Sequence, residues 1–125
     1  MSERVTADAV ETIQTPALKD GSLTPLTGLT SVVASVQRVS DRKWLDWDDD
    51  EFKDSSWTER QRVMSEVDAS LSPGQYACDF DLAEITNPVD DDTYMIQVDE
   101  TTGAAKNAPL SGEIKVGQWF TFGVV

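Results

Sequence analysis

The chain contains no histidine and only one cysteine, Cys78. Without histidine it lacks the commonest general base and the commonest zinc and transition-metal ligand. A single cysteine excludes an intrachain disulfide, so stability has to come from packing. Long apolar runs are missing as well: no stretch approaches the roughly 18 apolar residues of a membrane helix. The opening MSERVTADAVETIQT carries charges and no apolar h-region, so it does not read as a secretory signal. The expected location is the cytosol, or an assembly built there. The chain shows no glycine-rich phosphate loop, nucleophile elbow, CxxC pair or internal repeat.

Positive charge is scarce. Ten Lys and Arg face 23 Asp and Glu, for a net charge of −13 and a pI near 4.1. A phosphate backbone repels such a chain, and so does an anionic bilayer, so neither nucleic acid nor membrane is expected as a partner. A strongly negative small protein stays soluble and can dock on a basic surface.

What is present is enough for one domain. The 125 residues are 39% hydrophobic, and a chain of this size buries roughly two-thirds of its unfolded surface. The organising stretch is Ser31 to Trp47, SVVASVQRVSDRKWLDW. Val32, Ala34 and Val36 alternate with Val33, Ser35 and Gln37, the period of a strand. Arg38 then falls on the inward parity, which predicts either the end of the strand or a bulge. Ser40–Lys43 supplies a turn, and the returning strand puts Leu45 and Trp47 on one face and Trp44 on the other. Two-sided tryptophan use predicts one ring in the core and one at an edge or interface.

Further strands are expected at Val10–Thr15, Val63–Asp68, Gln75–Phe80, Thr93–Val98 and Glu113–Val116. Tyr76, Cys78 and Phe80 share an inward face, as do Tyr94, Ile96 and Val98. Pro73-Gly74 is expected to turn a hairpin between Val63–Asp68 and Gln75–Phe80. Turns are also expected at Thr102-Gly103, Asn107-Ala108-Pro109 and Ser111-Gly112. Ser56-Trp57-Thr58-Glu59 fits a helix capping box, which leaves a short helix near Trp57 open. Strands at about ten-residue spacing, roughly six to eight of them, point to an all-β antiparallel sandwich. Residues 1–8 read as an N-terminal arm, 9–118 as the sandwich domain and 119–125 as an apolar contact segment.

Each candidate site competes with a plainer reading. Asp46-x-Asp48-x-Asp50 matches the start of a calcium loop, but Glu51 stands where glycine belongs and Trp57 where the closing glutamate belongs. A calcium site that also uses Asp90, Asp91 and Asp92 competes with a solvated acidic loop, and the latter is preferred. Paired carboxylates for glycoside hydrolysis need one acid in an apolar cleft, and these acids crowd into acidic loops. Cys78 reads as a buried structural thiol, since no base is available to activate it. No catalytic residue, cofactor or metal is expected, and the chain is not expected to be an enzyme. Trp44, Trp47, Trp57 and Trp119 exceed what so small a core needs, so at least one is expected at a contact. Trp119, Phe120, Phe122 and Val124, together with Trp44, are the expected protein-contact residues. Exposed tryptophans also suit a sugar-binding platform, and a carbohydrate-binding module, with or without calcium, is the alternative reading.

The order LTGLT (Leu26–Thr30), RVSDRKWLDW (Arg38–Trp47), MSEVDAS (Met64–Ser70), PGQYACDF (Pro73–Phe80) and DDTYMIQV (Asp91–Val98) resembles immunoglobulin-like β-sandwich modules of tailed-bacteriophage virions. Such modules occur in head-decoration, baseplate and fibre proteins. The resemblance spans residues 23–116 and implies a single antiparallel immunoglobulin-like sandwich of about seven strands with terminal extensions. It also implies a non-enzymatic virion protein whose partners are capsid or tail subunits, with further copies of itself as another candidate partner. With no fibre repeat following, a capsid decoration or a tail or baseplate adaptor is expected over a fibre. The first turn of such modules often carries glycine, and here Arg42 stands in that region, which bears on the turn type.

Overall fold

A computed structural model describes residues 10–81, 93–115 and 121–124. Among them there is no helix, and ten strands form two antiparallel sheets. The strands are β1 (Val10–Gln14), β2 (Val32–Arg38), β3 (Lys43–Asp46), β4 (Glu51–Lys53) and β5 (Arg62–Val63). They continue with β6 (Ser65–Asp68), β7 (Ser72–Asp81), β8 (Thr93–Glu100), β9 (Leu110–Lys115) and β10 (Thr121–Val124). The small sheet runs β1-β7-β6, and the large one runs β10-β9-β8-β2-β3-β4, with β5 paired to β2. The count exceeds the expected seven because segments as short as β4 and β5, three and two residues, also pair.

The alternation read from the sequence sets the core. Ile13, Tyr76 and Phe80 from the small sheet meet Val32, Ala34, Val36, Leu45, Tyr94, Ile96 and Val98 from the large one, and all are buried. Phe80 joins the layers: its ring lies edge-on to Trp47 at 6.3 Å and to Tyr94 at 5.8 Å. Burying one such side chain contributes about 2–3 kcal/mol, and edge-to-face pairing adds to that. Cys78 stands opposite Ile13 in the β1–β7 register and packs half-buried against the core.

Several local expectations change. The register of β2 runs unbroken through Arg38, which pairs with both Lys43 and Tyr94. Neither a bulge nor an early exit is needed, because its guanidinium lies over the Phe52 ring at 4.8 Å and meets Asp41 at 2.6 Å. The β6–β7 hairpin turns at residues 69–71, not at Pro73-Gly74, which lie inside β7. The Asp68 carboxylate fixes that turn by accepting the N–H groups of Ser70 and Leu71 at 2.8 and 3.0 Å, an Asx-type arrangement. Ser111-Gly112 is strand rather than turn, with Gly112 opposite buried Ile96. The capping-box segment forms no helix, since the N–H groups of Thr58 and Glu59 are taken by Asp46.

The segment between β1 and β2 is pinned to the end of the sandwich. The Tyr76 hydroxyl donates to the Leu26 carbonyl at 2.8 Å and accepts the Leu29 N–H at 3.0 Å. Asn107 holds the same segment by accepting from Lys19 N–H and donating to the Ala17 carbonyl, both at 2.9 Å.

Candidate functional site

The register of the large sheet aligns one residue per strand in a single outward row. Lys53, Trp44, Gln37, Met95 and Glu113 are successive cross-strand partners from β4 to β9. Side chains of one row are direct neighbours on one face of the sheet. Around the middle of this row lies a groove of about 510 Å³, lined by Trp44, Gln37, Arg42, Met95, Gln97, Ser111 and Glu113 among others.

Trp44 forms one wall, and the loop after β4 braces it. Asp46 shares the outward parity of Trp44, yet it is fully buried because the loop folds over it. Its carboxylate accepts the N–H groups of Thr58 at 2.8 Å, Glu59 at 3.0 Å and Asp48 at 3.1 Å, and the Lys53 ammonium at 2.9 Å. Burial pushes the Asp46 carboxyl up, but these donors outweigh it and hold the group well below the usual carboxylate range. Lys53 also reaches Asp49, and its bonds to Asp49 and Asp46 raise its own pKa. The loop then delivers Trp57, whose indole N–H donates to the Trp44 carbonyl at 2.9 Å, and Arg60, whose guanidinium lies 5.2 Å from the Trp44 ring centroid.

The sequence candidates therefore part company. Trp47 is core, as the two-sided use predicted of one of the pair, and Trp44 is half-buried on the outward face of β3, which is an inner strand. Phe122 and Val124 fall on β10, whose backbone pairs with β9. Trp119 and Phe120 lie outside the described residues, as do Asp90, Asp91 and Asp92. Of the acidic run, Asp46 is committed to the loop. Among the described residues, no group of three His, Cys, Asp or Glu is placed to hold a metal ion. Burial pushes the Cys78 thiol up to about 12.

Sequence reasoning missed Met95, Gln97, Ser111 and Glu113 as groove residues. The one available signal was Met95, an apolar side chain at a position whose strand parity is otherwise polar.

A second buried carboxylate, Glu100, closes the β8–β9 turn. It accepts from the hydroxyls of Ser31 and Thr102 and from the N–H groups of Thr102 at 3.1 Å and Ala104 at 2.7 Å. Burial opposes its ionisation, and these donors bring its pKa down to about 2.

Among the described residues, four large apolar side chains are exposed: Leu23, Val63, Val67 and Leu71. Three of them fall in the single stretch 63–71, which contains β6, an edge of the small sheet. Comparison with known proteins gives no match among family models, curated sequences or solved structures.

Proposed function

We propose that the chain is a non-enzymatic structural protein of a tailed-bacteriophage particle, a capsid decoration or a tail or baseplate adaptor acting by protein–protein contact. The observation that carries this reading is a set of three exposed apolar side chains within residues 63–71: Val63 on β5, Val67 on the edge strand β6 and Leu71 in the turn that follows it. Val63 is 55% exposed, Val67 46% and Leu71 85%. The strand itself carries Glu66 and Asp68, the charge that commonly guards an edge, so what suits a partner is the small exposed apolar surface of Val63, Val67 and Leu71 rather than an open strand edge. The resemblance of Arg38–Trp47 and Pro73–Phe80 to virion sandwich modules supports the same reading. The charge of −13 suits docking on a basic subunit surface. Trp44 and the C-terminal residues Trp119, Phe120, Phe122 and Val124 are further proposed contacts.

The test is particle incorporation. Phage propagated in cells that supply the tagged chain are purified and analysed by gel and mass spectrometry. The wild-type chain is expected in particles, and the V67D/L71D variant is expected to be missing while its thermal midpoint is unchanged. Absence of the wild-type chain from particles overturns the virion reading. Full incorporation of the double variant overturns the role of this surface.

A further inference from the structure

The groove on the outward face of the large sheet is neither apolar nor strongly charged, and that mixture selects its ligand. The Trp44 indole and the Met95 thioether supply apolar surface. Around them stand an amide, a hydroxyl, a carboxylate and a guanidinium from Gln97, Ser111, Glu113 and Arg42. The side chains of Gln97, Ser111 and Glu113 make no hydrogen bond among the described residues, so their donors and acceptors are unspent. Gln37, which also lines the groove, gives one amide hydrogen to the Arg42 carbonyl at 3.2 Å.

Charge narrows the class. The lining holds one cation, Arg42, and one anion, Glu113, and the whole chain carries −13. An anionic ligand is repelled at long range and finds one cation opposed by one anion. An aliphatic ligand would strand the unspent polar groups without partners. A pyranose meets both conditions: one face of C–H bonds lies on an indole or thioether, and its rim of hydroxyls both donates and accepts. The volume of about 510 Å³ lies within the range of small-ligand clefts and suits one or two sugar rings.

We propose that this groove is a binding site for a neutral carbohydrate, with Trp44 and Met95 as the apolar surface and Gln37, Gln97, Ser111 and Glu113 as hydroxyl partners. The site shares only Trp44 with the contacts proposed above and none of the 63–71 residues, so sugar binding and particle incorporation are tested separately. In a virion protein it would give the particle a weak hold on a glycan surface.

The test is a two-dimensional amide NMR titration of the ¹⁵N-labelled full chain. The probes are the methyl glycosides of glucose, galactose, mannose and N-acetylglucosamine, then lactose and cellobiose, with N-acetylneuraminic acid as charged control. Saturable millimolar shifts are expected at Gln37, Trp44, Met95 and Gln97 for at least one neutral sugar, with none for the charged one. Gln97→Ala is expected to weaken that sugar about fivefold, the loss of one or two hydrogen bonds, with no change in thermal midpoint. No saturable shift with any probe overturns the proposal. So does binding centred elsewhere, tighter binding of the charged sugar, or wild-type affinity in the Gln97 variant.

Discussion

Thr58 donates its backbone N–H to the Asp46 carboxylate at 2.8 Å across twelve positions of chain. That bond, with those from Glu59 and Lys53, makes one buried side chain the anchor of the loop that braces Trp44. The acidic run after β3 therefore divides by role: its first member shapes the loop, and Asp48 and Asp49 stay at the surface.

Asp46→Ala leaves several buried donors without an acceptor. A bond to a charged group is worth about 1.5–3 kcal/mol, and unsatisfied donors add to the loss, so a fall in stability of about 3 kcal/mol is expected. Urea unfolding measures it. Tryptophan emission of the folded variant should shift to the red as the loop releases Trp44. Stability within about 0.5 kcal/mol of wild type, the level of an ordinary surface substitution, would count against an anchoring role.

Glu100 gives the fold a dependence on acid. Its pKa drops from an ordinary 4.5 to about 2 in the folded chain, so the folded state binds the proton less readily than the unfolded one. The stabilisation is complete above pH 4.5 and is lost as pH falls from there to 2, on the order of 3 kcal/mol for a shift of this size. Asp46 shifts in the same direction and adds to the loss at low pH. Denaturant unfolding at several pH values should show stability falling through this window, with a shallower fall in Glu100→Gln. Equal slopes in the two proteins would remove Glu100 as a cause.

Much of this was legible in the sequence. Alternation in β7 and β8 named Tyr76, Phe80, Tyr94, Ile96 and Val98, because a sheet with one face on the core imposes a period of two; in β2 it named Val32, Ala34 and Val36, but Val33 and Ser35 on the other parity are buried as well. Illegible were the features set by a single long-range carboxylate. The capping box at Ser56 has the right residues for a helix, but Asp46 takes the N–H groups a helix would have had to cap. The groove was hidden for a related reason: Met95, Gln97 and Glu113 become neighbours of Trp44 only through the pairing of β3, β2, β8 and β9, which periodicity does not reveal.

The turn between β2 and β3 was flagged by its missing glycine, and the backbone explains why glycine would suit it. Arg42 has φ of +61°, a region that costs a non-glycine residue about 1 kcal/mol or more. Its side chain is exposed, so little packing is lost on removal. Arg42→Gly is expected to raise stability by about 0.5 kcal/mol, the relief of strain less the extra freedom of glycine in the unfolded chain. A thermal midpoint raised by a degree or more in calorimetry supports this. A fall would mean that the arginine stem packs more tightly than its exposure implies.

The Pro73-Gly74 pair predicts a turn, but the structure requires glycine at position 74 for a different reason. It lies inside β7 with φ of +83°, and a Cβ at this position would stand 3.0 Å from the Leu18 carbonyl oxygen and 3.2 Å from the Pro25 side chain. The same Gly74 carbonyl accepts the Leu18 N–H at 2.8 Å, and its N–H donates to Glu66 at 3.0 Å. The backbone of the β1–β2 segment thus lies against β7 at the one residue without a side chain. Gly74→Ala combines a strained φ with a backbone contact that cannot yield without breaking these bonds, so a loss of about 2–3 kcal/mol is expected. Hydrogen exchange localises the effect: the Leu18 and Leu26 amides should lose protection first, while those of β2 and β8 keep theirs. Uniform loss across both sheets would show instead that this contact is part of the global unfolding unit.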